Sequence, residues 1–140
     1  MIILDTNVIS ETSKPRPDPR LVLWLSAQES ENLFLTCVTV MEIAYGGEKY
    51  RLKSGSQRYL NRLHELTENI YRNRILSLES AVAINSGFLR ARREMSGFSM
   101  SVQDAQIAAI CLSHDATLAT RNTKDFEGLD LSFVNPFEGA

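Results

Sequence analysis

Apolar positions along this chain fall into short β-type runs separated by longer stretches with helical spacing. The runs at residues 2–4, 33–37, 75–78, 117–119 and 131–134 each predict a strand. Asp18 followed by Pro19 marks a helix start, with Leu21, Leu25 and Val22 toward the interior. Residues 39–50 predict a second helix, and residues 56–70 a third through Leu60, Leu63, Leu66 and Ile70. Residues 79–96 repeat apolar positions at Ile84, Phe88, Ala91 and Met95 before Gly97, which acts as a C-terminal stop. Residues 101–113, rich in Ala and Ile, predict a fifth, deeply packed helix. Short strands alternating with helices imply a central parallel sheet covered on both faces, a three-layer α/β/α arrangement in the α/β class. In such sheets the loops after the carboxyl ends of the strands form the ligand crevice.

Length and composition narrow the picture little further. The 140 residues suit one domain spanning 1–140, and there is no internal repeat or Gly/Ser linker to divide it. With 44% hydrophobic and 23% charged residues the chain reads as ordered and globular. Met1-Ile2-Ile3-Leu4-Asp5 lacks the basic start of a signal peptide, and no apolar run approaches the roughly 20 residues that span a bilayer. A cytoplasmic protein without membrane contact is expected. Cys37 and Cys111 lack any metal-ligand spacing and are expected to be buried free thiols.

Charge is less evenly spread than the net value of -2 suggests. Residues 49–93 hold ten Lys and Arg against Glu65, Glu68 and Glu79, a local net of +7. Such a segment meets a phosphate backbone if its charges share a face, and is otherwise a solvated helical surface.

Candidate chemistry lies in the acids. Asp5 directly continues the first strand, Glu42 and Asp104 fall at helix starts, and Asp125 follows the strand ending at Ala119. All four belong at one edge of the expected sheet. Clustered carboxylates resist joint ionisation unless a cation neutralises them, and hard ions such as Mg²⁺ or Mn²⁺ prefer such oxygen ligands. Three of them also have a plainer reading. Thr39-x-x-Glu42 and Ser101-x-x-Asp104 both look like capping boxes, and Asp125 suits a turn. Asp5 has no routine structural job.

Taken together, Leu4-Asp5-Thr6-Asn7-Val8-Ile9-Ser10, Thr39-Val40-Met41-Glu42-Ile43-Ala44-Tyr45-Gly46, Asp104 in its Ala-rich helix, Leu118-Ala119-Thr120-Arg121-Asn122-Thr123-Lys124-Asp125-Phe126 and Asn135-Pro136-Phe137 resemble VapC-type PIN-domain toxins. The likeness runs over the whole chain in order and spacing. It implies the toxin component of a type II toxin–antitoxin system: a Mg²⁺- or Mn²⁺-dependent endoribonuclease, usually a homodimer, blocked by a small DNA-binding VapB-like antitoxin. A tRNA is the substrate it suggests. Asp5 and Asp104 match the principal metal ligands, Glu42 the third acid, and Thr6, Asn7 and Thr120 the polar positions that orient carboxylates or the scissile phosphate. The family often has an acid just after the Thr at position 120. Here Asn122 stands there and the nearest acid is Asp125, so either completes the site. Arg51, Lys53, Arg58 and Arg62 are the first candidates for RNA contacts. Two rival readings differ in testable ways. A haloacid dehalogenase-type phosphatase needs a second Asp where Asn7 stands, and a noncatalytic RNA-binding or antitoxin-sequestering protein would bind RNA without cutting it.

Overall fold

Every apolar run contains a strand. In the computed structural model, which describes residues 1–138, these are β1 (Ile2–Leu4), β2 (Leu33–Thr36), β3 (Ile75–Leu76), β4 (Thr117–Ala119) and β5 (Phe133–Val134). They form one parallel sheet in the order β3-β2-β1-β4-β5. The strand carrying Asp5 at its end is therefore the central one. Successive side chains alternate between two cores: Ile3 and Leu118 join one, Leu4 and Ala119 the other, and all four are fully buried. Helices cover both faces, giving the expected α/β/α layers.

The helices depart from expectation in instructive places. A seven-residue helix, α1 (Thr6–Thr12), follows β1 at once, with Val8 and Ile9 buried. After it comes α2 (Pro19–Ser26), capped by Asp18 as expected, although Val22 is exposed and only Leu21 is fully buried. Next, α3 (Cys37–Ser54) begins two residues earlier than the sequence suggests. Its cap is Thr36, whose hydroxyl accepts from the Thr39 amide at 3.1 Å. Thr39 lies inside the helix, so Thr39-x-x-Glu42 is not a capping box. Gly55, at φ +76°, ends α3 in the left-handed conformation that only glycine adopts readily. After the turn, α4 (Arg58–Glu65) starts later than expected and continues into a wider π turn at Leu66–Ile70.

The largest correction concerns α5 (Ser80–Met95). Ile84, Phe88 and Met95, the apolar repeat that marks this helix in the sequence, are exposed. Val82 and Leu89 pack against the core instead, while Ser86 and Arg93 are buried on the same inner side. Finally, α6 (Val102–Ser113) packs deeply, burying Ala105 and every residue from Ile107 to Cys111. The Cys111 thiol is pushed up to about 12, chiefly by burial. Cys37 is half-buried rather than buried, and both cysteines are free. Among the described residues no helix is long and apolar enough to cross a membrane.

Candidate active site

Asp5 sits where central β1 passes into α1, and it serves as that helix's N-cap. Its Oδ1 accepts from the Thr6 amide at 2.8 Å. Its Oδ2 accepts from the Thr120 hydroxyl at 2.8 Å and from Asn7 Nδ2 at 3.2 Å. Thr120 directly follows the neighbouring strand β4, and the Asp5 amide donates to the Ala119 carbonyl, which holds the Thr120 hydroxyl beside Asp5. Asn7 Oδ1 in turn accepts from the Arg121 amide at 3.0 Å, and Thr120 Oγ1 accepts from the Asn122 amide at 3.1 Å. The loop after β4 is thereby tied to the loop after β1.

Thr6 links this network to α3. Its hydroxyl donates to Glu42 Oε1 at 2.8 Å and lies 3.0 Å from the Thr39 hydroxyl. Glu42 is thus directed toward Asp5 by a side chain rather than bound to its own helix start. Asp104 opens α6, where its amide donates to Ser101 Oγ at 3.0 Å, one half of the expected capping box. Asp125 lies in a 3-10 turn, Thr123–Phe126, whose Phe126 is fully buried. Both Asp125 and Asn122 are exposed.

Electrostatics connect the four acids. Burial, and to a lesser degree the Glu42 carboxylate, push the Asp5 carboxyl above the usual range, against the lowering pull of its hydrogen bonds. Burial also raises Asp104, and the neighbouring charges of Asp5 and Asp125 raise it further. Among the described residues none of the four forms an ion pair with Lys or Arg. No three acids stand close enough among those residues to form a ready-made metal cage. Nevertheless the donor set is all oxygen, Asp5 is almost fully buried, and its acidic neighbours leave its charge uncompensated. These residues fit a hard divalent cation.

The raised values have a thermodynamic consequence. A carboxyl whose pKa is higher folded than unfolded contributes stability in full below its ordinary value, 3.8 for Asp5. That contribution is lost as pH rises through the raised value. Ionised Asp5 therefore weighs against the metal-free fold at neutral pH. Thermal unfolding in EDTA should show Asp5→Asn melting at or above the wild type near neutrality, with the difference shrinking as pH falls to about 4.

Several cations of the basic segment are tied to other parts of the chain. Arg74 donates to the carbonyls of Ser30, Leu33 and Ile70. Of the candidate RNA contacts, Arg51 pairs with Glu48, and Arg58 donates to the Ser13 carbonyl. Arg62 donates to the Thr12 hydroxyl and pairs with Glu65. Those two arginines fasten α4 to the end of α1. Lys53 is exposed at the end of α3. Arg93 is the position sequence reasoning missed. It is buried, packs over the Phe98 ring, and donates to the carbonyls of Asp125 and Glu127. It thus pins the loop that carries Asp125. Nothing in the sequence separates it from its exposed neighbour Arg92.

The whole chain has relatives among known proteins. The PIN domain model matches residues 2–130. The chain is 36% identical to the toxin FitB of Neisseria gonorrhoeae over 98% of its own length and 99% of that protein's. It is 35% identical to the VapC ribonuclease Y4jK of Sinorhizobium fredii over the full length of both. The structure superposes on FitAB bound to the IR36 DNA fragment with a TM-score of 0.85 and 35% identity, covering 100% of this chain and 98% of that one. On the match of the family model and on these full-length identities, the chain belongs to the PIN-domain family, among the VapC-type ribonuclease toxins.

Proposed function

We propose that this protein is a divalent-metal-dependent endoribonuclease, acting as a single domain over residues 1–140 and serving as the toxin of a toxin–antitoxin pair. The observation that carries the reading is buried, acid-flanked Asp5, held by three donors yet lacking a cationic partner among the described residues. Asp5, Asp104 and Glu42 would hold Mg²⁺ or Mn²⁺, with Asp125 or Asn122 completing the set. When bound, such an ion neutralises charge on the phosphodiester and makes a water acidic enough to attack phosphorus. The chain's own residues do the positioning. Thr120 and Asn7 fix the Asp5 carboxylate, Thr6 aims Glu42, and the Ser101 cap holds the start of α6 beneath Asp104. Neither His64 nor His114 is part of this network, so no imidazole base is invoked.

The substrate is RNA, with single-stranded loops of a structured molecule such as a tRNA as the natural targets. Arg51, Lys53, Arg58 and Arg62 lie around the turn between α3 and α4, and we assign that end to phosphate contacts. The partner is a small DNA-binding antitoxin, a reading supported by the likeness to FitAB in complex with DNA. Purified protein should cut cellular RNA at discrete places with Mn²⁺ or Mg²⁺ and not in EDTA. Binding without cleavage in saturating Mn²⁺ would favour the noncatalytic alternative.

The outer stripe of α5 supports a homodimer. Ile84 and Phe88 are more than half exposed, and Leu112 of adjoining α6 is also exposed. An apolar stripe along one helix is self-complementary under twofold pairing, which is what a second copy requires. Phe88→Asp should halve the mass seen by sedimentation while leaving the circular dichroism spectrum of the folded chain unchanged. An unchanged mass would place the interface elsewhere.

A further inference from the structure

Two adjacent glycines, Gly46 and Gly47, occupy the middle of α3, where glycine is among the poorest helix formers. Gly47 has a packing reason: a Cβ there would lie 3.0 Å from Leu60 Cδ2 of α4. Gly46 has none, since a Cβ would meet nothing within 4 Å. Instead it lines a groove of about 240 Å³ together with Glu42, Ser10, Ser13, Tyr50, Tyr59 and Arg62. One wall of this groove is thus a candidate metal-binding acid, so the groove adjoins the candidate site through Glu42.

Its walls have a recognisable chemistry. Tyr50 and Tyr59 meet edge to face with centroids 5.0 Å apart, and the Arg58 guanidinium lies 5.4 Å from the Tyr59 centroid. Ser10 and Ser13 supply hydroxyls, and Arg62 brings a cation that is itself anchored to Thr12 and Glu65. Aromatic rings, hydroxyls and arginine around a groove of about 240 Å³ suit one unstacked nucleotide. We propose that this groove seats the base of the nucleotide next to the scissile phosphate, and that Gly46 keeps its floor open. The inference rests on the ribonuclease reading and adds to it a substrate subsite. A peptide side chain from a partner protein is the competing occupant. Continuity with Glu42 and the surrounding cations favour RNA.

Gly46→Leu fills the groove while improving helix propensity, and Gly46→Ala is a milder version of the same change. Each is assayed against a short single-stranded RNA that the wild type binds, and against strands made abasic at each position in turn. Binding is read by fluorescence anisotropy in EDTA, cleavage with Mn²⁺. For the wild type, one abasic position, that beside any cut, should weaken binding about tenfold. Gly46→Leu should show that same loss on the intact strand and no further loss on the abasic one. Its melting temperature and Mn²⁺ affinity should not fall. Wild-type binding and cleavage of intact RNA by Gly46→Leu would overturn the subsite, as would an abasic effect that persists in full in that variant. If the wild type binds with the abasic effect but never cuts, the nuclease reading fails and the base subsite stands.

Discussion

Asp5→Asn is expected to lower RNA cleavage by at least about 10²–10³-fold, the scale of removing one preorganised electrostatic contact from a reacting centre. The substitution keeps shape and an oxygen toward the Thr6 amide, while removing the charge. It also turns an amide donor or a weaker acceptor toward the Thr120 hydroxyl, which now donates to Oδ2 at 2.8 Å. Asp104→Asn should behave alike, because the Asp5 charge helps to raise Asp104 and the two acids therefore share one field. Both variants should remain folded, since each loses a carboxylate that burial disfavours in the metal-free protein. Single-turnover cleavage of one RNA by folded variants measures the effect. Cleavage within a few-fold of the wild type would remove these residues from the chemistry.

Arg93→Ala should produce the largest loss of stability, about 3 kcal/mol, equivalent to a melting temperature roughly 10 °C lower. Its guanidinium donates to the carbonyls of Asp125 and Glu127 and packs over Phe98 while itself buried. Truncation leaves two carbonyls without their donor and opens space beside Phe98. Gly128, at φ +83°, lets the loop turn closely enough for its Cα region to approach Arg93 Nη1. Lysine keeps the charge but cannot reach two carbonyls with a rigid fork, so Arg93→Lys should recover only part of the loss. Thermal denaturation separates these cases, and a fall of 2 °C or less, under about 1 kcal/mol, would show the clamp to be unimportant.

The α/β/α layers are legible from apolar runs, because short β-type segments alternating with helices leave few topologies. The prominence of Asp5 is legible for the same reason. What local pattern does not settle is which element a boundary residue joins. Thr36 and Thr39 both look like helix caps, and the choice depends on whether Cys37 ends a strand or begins a helix. Packing of β2 between β1 and β3 decides it, and with it whether Glu42 is a cap or the partner of Thr6. The helix α1 is hidden because Val8 and Ile9 read as more of the apolar start. On α5 the most apolar stripe is the outer one, so periodicity marks the helix but misplaces its buried face. Arg93 looks like one more charge in a basic run, and only the fold of the loop after β4 makes it internal.

The central claim is that these carboxylates form a metal site, and titration calorimetry of Mn²⁺ into metal-free protein, without RNA, tests it most directly. The account predicts saturable binding by the wild type that is lost in Asp5→Asn and Asp104→Asn, accompanied by a rise in melting temperature only for the wild type. Equal Mn²⁺ binding by wild type and both variants would contradict it.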